Sequence, residues 1–458
     1  MPALTDDSTS AIPLTPVAKD NYDTWLEAVP AGEREWLKTT GFTAEPGKFA
    51  FLPADDGRAA RVVVGADLEK DPVWALAGLP EALPEGRYKL DANVNAGRAT
   101  SLTLGWSLGA YAFTRYKAPK RGFAELVWPQ GADHAEVQHL TRSVFLARDL
   151  INTPCEDLGP PDRAAAAIAV AREFDARTSV VAGDDLLKEN YPTIHAVGRA
   201  SARAPHLIDI KWGDERAPKV TLVGKGVCFD TGGLDLKTPP NMLQMKKDMG
   251  GAAIVLGLAR ALMAARTPIR LRVLIPAVEN SVSANAIRPL DIVRTRSGKT
   301  VEIGNTDTEG RLILCDALFE GDSERPEMLI DFATLTGAAR VALGPEVQAL
   351  FSNNDELANE ILGVSADVAD PIWRMPIWKP YRKMIDSKVA DFNNVSDSPH
   401  AGAIIGALYL SEFVGEKTAW AHLDVFASNA KAAPGRPEGG EATGLRALYY
   451  SIFTSIDE

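Results

Sequence analysis

KVTLVGKGVCFDTGGLDLKTPPNMLQMKKDMGGAAIVLGLARALMAARTPIRLRVLIP, residues 219–276, reads as a strand, a glycine-rich polar loop, a helix and a second strand in succession. The runs Lys219–Val223 and Ile269–Pro276 have strand length, whereas the apolar segment Gly250–Ala265 is long enough for a buried helix. A crossover helix of this kind joins parallel strands, and strands that are apolar on both faces must be covered on both. Upstream, Arg163–Phe174 extends the same alternation. The predicted fold is therefore α/β, with a mixed, largely parallel central sheet flanked by helices.

A chain of 458 residues exceeds one ordinary domain, so two α/β domains are expected. Residues 1–135 carry short apolar runs, KFAFLPA at 48–54 and AARVVVGAD at 59–67, broken by proline and glycine, and read as a small N-terminal α/β domain. AEVQHLTRSVFLARDLI at 135–151 has helical spacing and is halted by NTPCEDLGPPD. Residues 136–160 are accordingly a linker helix, and 161–458 the larger C-terminal domain.

Composition narrows the function classes. A formal net charge of −12 disfavours polyanionic partners, because nucleic-acid affinity comes largely from neutralising phosphates. The basic run YKAPKR at 116–121 reads as solvated surface. The acidic N-terminus MPALTDDSTSAIPLTP lacks the pattern of a secretory signal. Gly250–Ala265 is too short for a bilayer span and contains Arg260. Cys155, Cys228 and Cys315 lie far apart with no CxxC pair, so neither a disulfide framework nor a zinc knuckle is indicated. No membrane is expected, and the cytoplasm is the expected location.

The polar residues of the opening stretch fall where apolar strands give way to glycine-rich turns, the usual place for a site in such sheets. Lys225, Asp230, Lys237 and Asp248 lie there among Gly226, Gly232, Gly233, Gly250 and Gly251. Asp248 precedes the helical segment, and alone it reads as an N-cap. A second stretch, VEIGNTDTEGRLILCDALFEG at 301–321, places Asp307 and Glu309 two apart on what is expected to be extended or turn backbone, with Arg311 on the same parity. Two carboxylates projected together need a cation, either a metal or a paired base such as that arginine.

Taken together, four carboxylates against two lysines are too many for structural pairing unless divalent ions take part. Hard oxygen ligands suit Mn²⁺ or Mg²⁺, and carboxylates also bind Zn²⁺. Six histidines with no HExxH argue against a histidine-rich zinc site, and His422 in WAHLDV reads as a core residue. There is no GxSxG elbow, phosphate loop or dinucleotide fingerprint. Cys228, among carboxylates that would raise a thiol pKa, reads as packing.

NTDTEGRL, Asn305 to Leu312, closely resembles the NTDAEGRL signature of the leucyl aminopeptidase family, peptidase family M17, the cytosol aminopeptidases. VGKGVCFDTGG, MKKDMGGAA, DFATLTGAARVALG (331–344), AGAIIGALYLSEFV (401–414) and WAHLDVFAS extend the resemblance over most of residues 145–458. It implies a C-terminal catalytic peptidase domain that releases N-terminal amino acids, leucine-like ones preferred, from peptides with a free N-terminus. It implies two divalent ions, Mn²⁺ or Zn²⁺: Lys225 and Asp248 on one, Asp307 on the other, Asp230 and Glu309 bridging. It makes Lys237 and Arg311 catalytic, Lys237 polarising the scissile carbonyl and Arg311 holding a bicarbonate general base. Asn305, Thr334, Leu335, Gly337 and Met245 are implied along the substrate, and a homohexamer as the assembly.

This chain departs from the family pattern at Thr231, at Thr308, at Thr238-Pro239-Pro240 and at Asp235, whose parity suits a pair with Lys237. None is an implied ligand, so these bear on substrate preference, with a specialised dipeptidase as one alternative. An additional DNA-binding role, found in some bacterial relatives, is the other, and the acidic balance opposes it.

Overall fold

The computed structural model describes residues 3–457. They form two compact units, one reaching to Phe145 and taking in Ala430–Glu438, the other comprising Leu146–Asn429 and the segment from Gly439 onward. The division falls inside one helix, His134–Asn152.

The first unit holds a six-stranded sheet in the spatial order Leu4–Thr5, Glu125–Val127, Arg87–Leu90, Ile12–Val17, Ala59–Gly65 and Phe49–Pro53. All its pairs are parallel except the last. The two apolar runs expected near 48–54 and 59–67 are that antiparallel edge pair. Val62, Val63 and Val64 are fully buried, as β-branched residues packed on a pleated surface should be. The helix Ala96–Gly109 opens on Asn95, whose side chain accepts from the Arg98 amide at 2.9 Å.

The large sheet of the second unit contains β1 (Arg177–Ala182), β2 (His206–Trp212), β3 (Lys219–Gly224), β4 (Gly226–Asp230), β5 (Arg270–Asn280), β6 (Met328–Ala333), β7 (Gln348–Ser352), β8 (Ile372–Arg374) and β9 (Ala419–Asp424). Their order is β8-β7-β9-β6-β3-β5-β2-β1, with β4 also on β5. From β9 through β6 and β3 to β5 the strands are parallel. The antiparallel pairings lie outside this core, at β7, β2 and β1. This is the mixed, largely parallel sheet expected.

Helices α1 (Gly250–Ala264), α2 (Glu309–Asp322) and α3 (Gly402–Ser411) sandwich the central strands. α1 packs on β3 and β6 beneath the C-terminal helix Leu445–Asp457, while α2 packs on β5 and β3 with α3 behind it. α1 is buried from Gly250 through Met263, which explains a segment apolar all round. Each large aliphatic side chain so buried contributes roughly 1.5–3 kcal/mol. Among the described residues no helix is long and apolar enough to cross a membrane.

Candidate metal centre

The polar residues gather at the carboxyl ends of the parallel strands. β3 and β4 form one interrupted strand along β5, and Lys225 is the interruption. Its amide donates to the Phe332 carbonyl at 3.0 Å, and its own carbonyl accepts from the Ala252 amide at 2.9 Å. The chain can come this close only beside glycine: a Cβ on Gly251 would lie 2.0 Å from the Phe332 carbonyl oxygen, and one on Gly310 would lie 2.5 Å from Lys225 Cε. Asp230 ends β4, Asn280 ends β5, Asp424 ends β9, and Thr334 follows β6.

Lys225 Nζ stands 2.8 Å from Asp248 Oδ2, 3.1 Å from Glu309 Oε1 and 2.8 Å from the Thr334 carbonyl oxygen. Lys237 Nζ lies 2.9 Å from Asp230 Oδ2 and 2.5 Å from Asp307 Oδ1. Asp230 Oδ1 accepts from the Gly232 amide and from Asn280 Nδ2, at 2.8 and 2.9 Å. Thr334 Oγ1 donates to Asp248 Oδ1 at 2.8 Å. Asp230, Asp307 and Glu309 present ligand atoms all within 4.8 Å of one another.

Two features make this cluster fit cations from outside the chain. The buried oxygens Asp248 Oδ2 and Asp307 Oδ1 have, among the described residues, no partner besides the ammonium groups of Lys225 and Lys237, at 2.8 and 2.5 Å. Nor do two ammonium groups balance four carboxylates. Burial, and then the Asp230 charge, raises Glu309 to about 8 and Asp307 to about 6. Asp248 is raised too, chiefly by burial. Burial opposes the Lys225 ammonium, but Asp248, Glu309 and Asp230 outweigh it and hold its pKa above the ordinary lysine range. Both trends are those of a site short of positive charge.

Several expectations are corrected. Asp307 lies in a single helical turn, Thr306–Thr308, and Glu309 begins α2, so the backbone is helical rather than extended. Asp307, in the turn before α2, still converges with Glu309 as expected, but within the helix itself residues two apart do not share a face. Arg311 therefore turns away from Glu309: its Nη1 donates to the Asn394 carbonyl at 2.6 Å, its guanidinium lies 5.9 Å from the Tyr409 ring centre, and its Nε has no hydrogen-bond partner among the described residues. Asp235 does not pair with Lys237; its Oδ2 accepts from the Thr306 amide at 2.8 Å and tethers the loop to the α2 entry. Asp248 caps no helix, since its side chain is occupied by Lys225 and Thr334. Cys228 is buried packing, and His422 is a core residue whose Nδ1 lies 2.6 Å from Asp331 Oδ1.

A cavity of about 600 Å³ opens over the cluster. Lys225, Asp230, Lys237, Met245, Asp248, Asp307, Glu309, Thr334, Leu335 and Gly337 all line it. Asn305 and Arg311 are not on its wall; the Asn305 side chain accepts from the Asp307 amide at 2.7 Å and fixes that turn. Sequence reasoning missed Asn280, Asp424 and Lys247. Asn280 and Asp424 end observed strands, a placement that marks them as site-facing; the strand expected at Ile269–Pro276 runs on to Asn280. Asp424 accepts from the Leu335 and Thr336 amides at 3.0 and 3.2 Å and so shapes the loop on the cavity wall.

Comparison with known proteins agrees with this site. The family model for the cytosol aminopeptidase family, catalytic domain, matches residues 145–449, and that for the M17 aminopeptidase N-terminal domain matches residues 12–129. A "Probable cytosol aminopeptidase" of Stenotrophomonas maltophilia is 42% identical over 425 residues, covering 91% of this chain and 80% of the relative. Another, from Streptomyces griseus, is 36% identical over 455 residues, covering 90% and 88%. The crystal structure of cytosol aminopeptidase from Coxiella burnetii superposes with a TM-score of 0.95 at 46% identity, over 99% of both chains. The bottromycin maturation enzyme BotP, solved in complex with Mn, gives a TM-score of 0.87 at 32% identity, over 97% of this chain and 99% of BotP. With both family models matched in order and a carboxylate cluster suited to metal, the chain belongs to the M17 cytosol aminopeptidase family, metal-dependent hydrolases of peptide bonds.

Proposed function

We propose that the chain removes N-terminal residues, leucine-like ones preferred, from peptides through a site holding two divalent cations. The convergence of Asp230, Asp307 and Glu309, with Lys225 and Asp248 alongside, is the observation that carries this reading. Lys225 and Asp248 are assigned to one ion, Asp307 to the other, and Asp230 and Glu309 to both. When bound, the ions lower the pKa of a water toward neutrality and supply Lewis acidity at the scissile carbonyl.

The remaining steps fall to the chain's own residues. Lys237 Nζ, held between Asp230 and Asp307, is assigned to hydrogen-bond the carbonyl oxygen and stabilise the charge that develops on it. Arg311 is too basic to accept a proton and does not line the cavity, but its buried Nε has no hydrogen-bond partner among the described residues, and by family resemblance we assign it a bicarbonate that would serve as general base. Met245, Thr334, Leu335 and Gly337 are assigned to the substrate through the cavity wall, and Asn305 through the turn that carries Asp307. Lys225 must be neutral to bind a metal, and two dications beside it make that accessible.

Manganese or zinc fits the oxygen-rich set, and the Mn complex of BotP, a relative of the same fold, favours manganese. By family resemblance we assign a homohexamer and a cytoplasmic location. Hydrolysis of leucine p-nitroanilide by the purified protein, after chelation and reloading with Mn²⁺ or Zn²⁺, tests the proposal. Activity restored by metal is the expected result; no cleavage of any unblocked substrate by the reloaded protein would refute it.

A further inference from the structure

The cavity has a second charged feature, away from the carboxylate cluster's own ion pairs. Lys247 lines it and is only 7% exposed, yet its ammonium makes neither an ion pair nor a hydrogen bond among the described residues. It lies instead 4.3 Å from the centre of the Phe426 ring. Arg340, also on the wall, places its guanidinium carbon 5.1 Å from the centre of the same ring and likewise has no carboxylate partner among the described residues. An aromatic face stabilises a cation only in part, and a buried lysine ordinarily has an anionic partner. The nearby acids are committed elsewhere: Asp248 to Lys225 and Thr334, and Asp424 to the Leu335 and Thr336 amides and the Thr336 hydroxyl.

We infer that Lys247, with Arg340 at the same Phe426 ring, is a specificity-determining residue that receives a carboxylate of the substrate. The inference deepens the aminopeptidase reading and rests on it. Two substrate groups have this chemistry: the side chain of an acidic N-terminal residue, and the C-terminal carboxylate of a short peptide. Lys247 is the principal contact because it is desolvated, and a hydrogen bond to a charged group gains most where water is excluded. Arg340 stands in solvent at the rim and contributes less.

Steady-state kinetics of the metal-loaded protein separates the possibilities. Glutamyl is compared with glutaminyl p-nitroanilide, and leucyl-glycine with leucyl-glycinamide. A preference of about tenfold in kcat/KM for the charged member of either pair, the scale of one charge-assisted hydrogen bond, supports the inference and identifies the source of the carboxylate. That preference falls toward one in Lys247→Met, returns in part in Lys247→Arg, and falls less in Arg340→Gln. Hydrolysis with both wild-type ratios at or below one overturns the inference, and so does a preference that survives Lys247→Met unchanged. The wild-type ratios decide even if the variants do not fold. Failure to cleave every one of these substrates would instead refute the aminopeptidase reading itself.

Discussion

Strand β5 connects two ion networks of opposite character. At its start, Asp209, Glu215, Glu320 and Glu324 meet Arg177, Lys211, Arg270, Arg272 and Arg296. Arg272 alone reaches Asp209 at 2.7 Å and Glu320 at 2.6 Å. At its end, next to Asn280, Asp230, Asp248, Asp307 and Glu309 form ion pairs, among the described residues, with Lys225 and Lys237 alone. Glu324 is held down to about 2, since hydrogen bonds from Arg270 and Lys211 outweigh the upward push of burial. Glu309 rises to about 8. The same residue types therefore shift in opposite directions: the chain supplies the counter-cations at one end of the strand and leaves them to be supplied at the other.

The contrast is broken most completely by Glu309→Ala, which is expected to abolish metal-dependent hydrolysis while leaving the metal-free protein as stable as wild type or more so in thermal melts. Lys237→Met removes the donor to the developing charge, along with the ion pairs to Asp230 and Asp307, and should lower kcat by about 10²- to 10³-fold, the usual loss for one donor to a developing oxyanion. At the other end of the strand, Arg272→Met leaves Asp209 without its ion-pair partner and Glu320 with Arg296 alone; a loss of about 3–5 kcal/mol in denaturant unfolding is expected, equal with and without metal.

The pH dependence sharpens the same comparison. A carboxyl whose folded pKa is raised loses stability as it ionises, so Glu309 makes metal-free protein less stable as pH rises from its ordinary 4.5 toward 8. The Glu324 network runs the other way: its contribution is present above 4.5 and is lost as pH falls toward 2. Chelated protein should therefore show a melting temperature that declines across pH 5–8, and saturating Mn²⁺ should flatten the decline. The smallest effect is expected from Asp235→Ala, which removes one bond to the Thr306 amide and should cost about 1 kcal/mol.

Much of the site was legible because its chemistry is local. Lys225, Asp230 and Asp248 crowd around glycines at the end of one apolar run, and four acids with two bases already call for cations. The central helix and the strands flanking it were found for a similar reason, since Gly250–Ala264 is apolar all round and the flanking runs have strand length. The strand order was not legible. β6 and β9 reach the centre of the sheet through long-range pairing that no local pattern encodes. The orientation of Arg311 is not legible, because nothing local marks Glu309 as a helix start, where a two-residue spacing separates side chains instead of aligning them. Lys247 escaped notice because nothing local distinguishes a buried lysine without an anionic partner from a surface one. Its significance depends on Phe426, which lies far along the chain.

The central claim is that the carboxylate cluster is a site for two cations. Calorimetric titration of chelated protein with Mn²⁺, paired with elemental analysis and repeated in buffers of different ionisation heat, tests it most directly. The account predicts two ions per chain with net proton release near pH 7, as Glu309 and Lys225 give up protons, and a lower stoichiometry in Glu309→Ala. Binding of no metal, or binding that neither releases protons nor depends on Glu309, would contradict it.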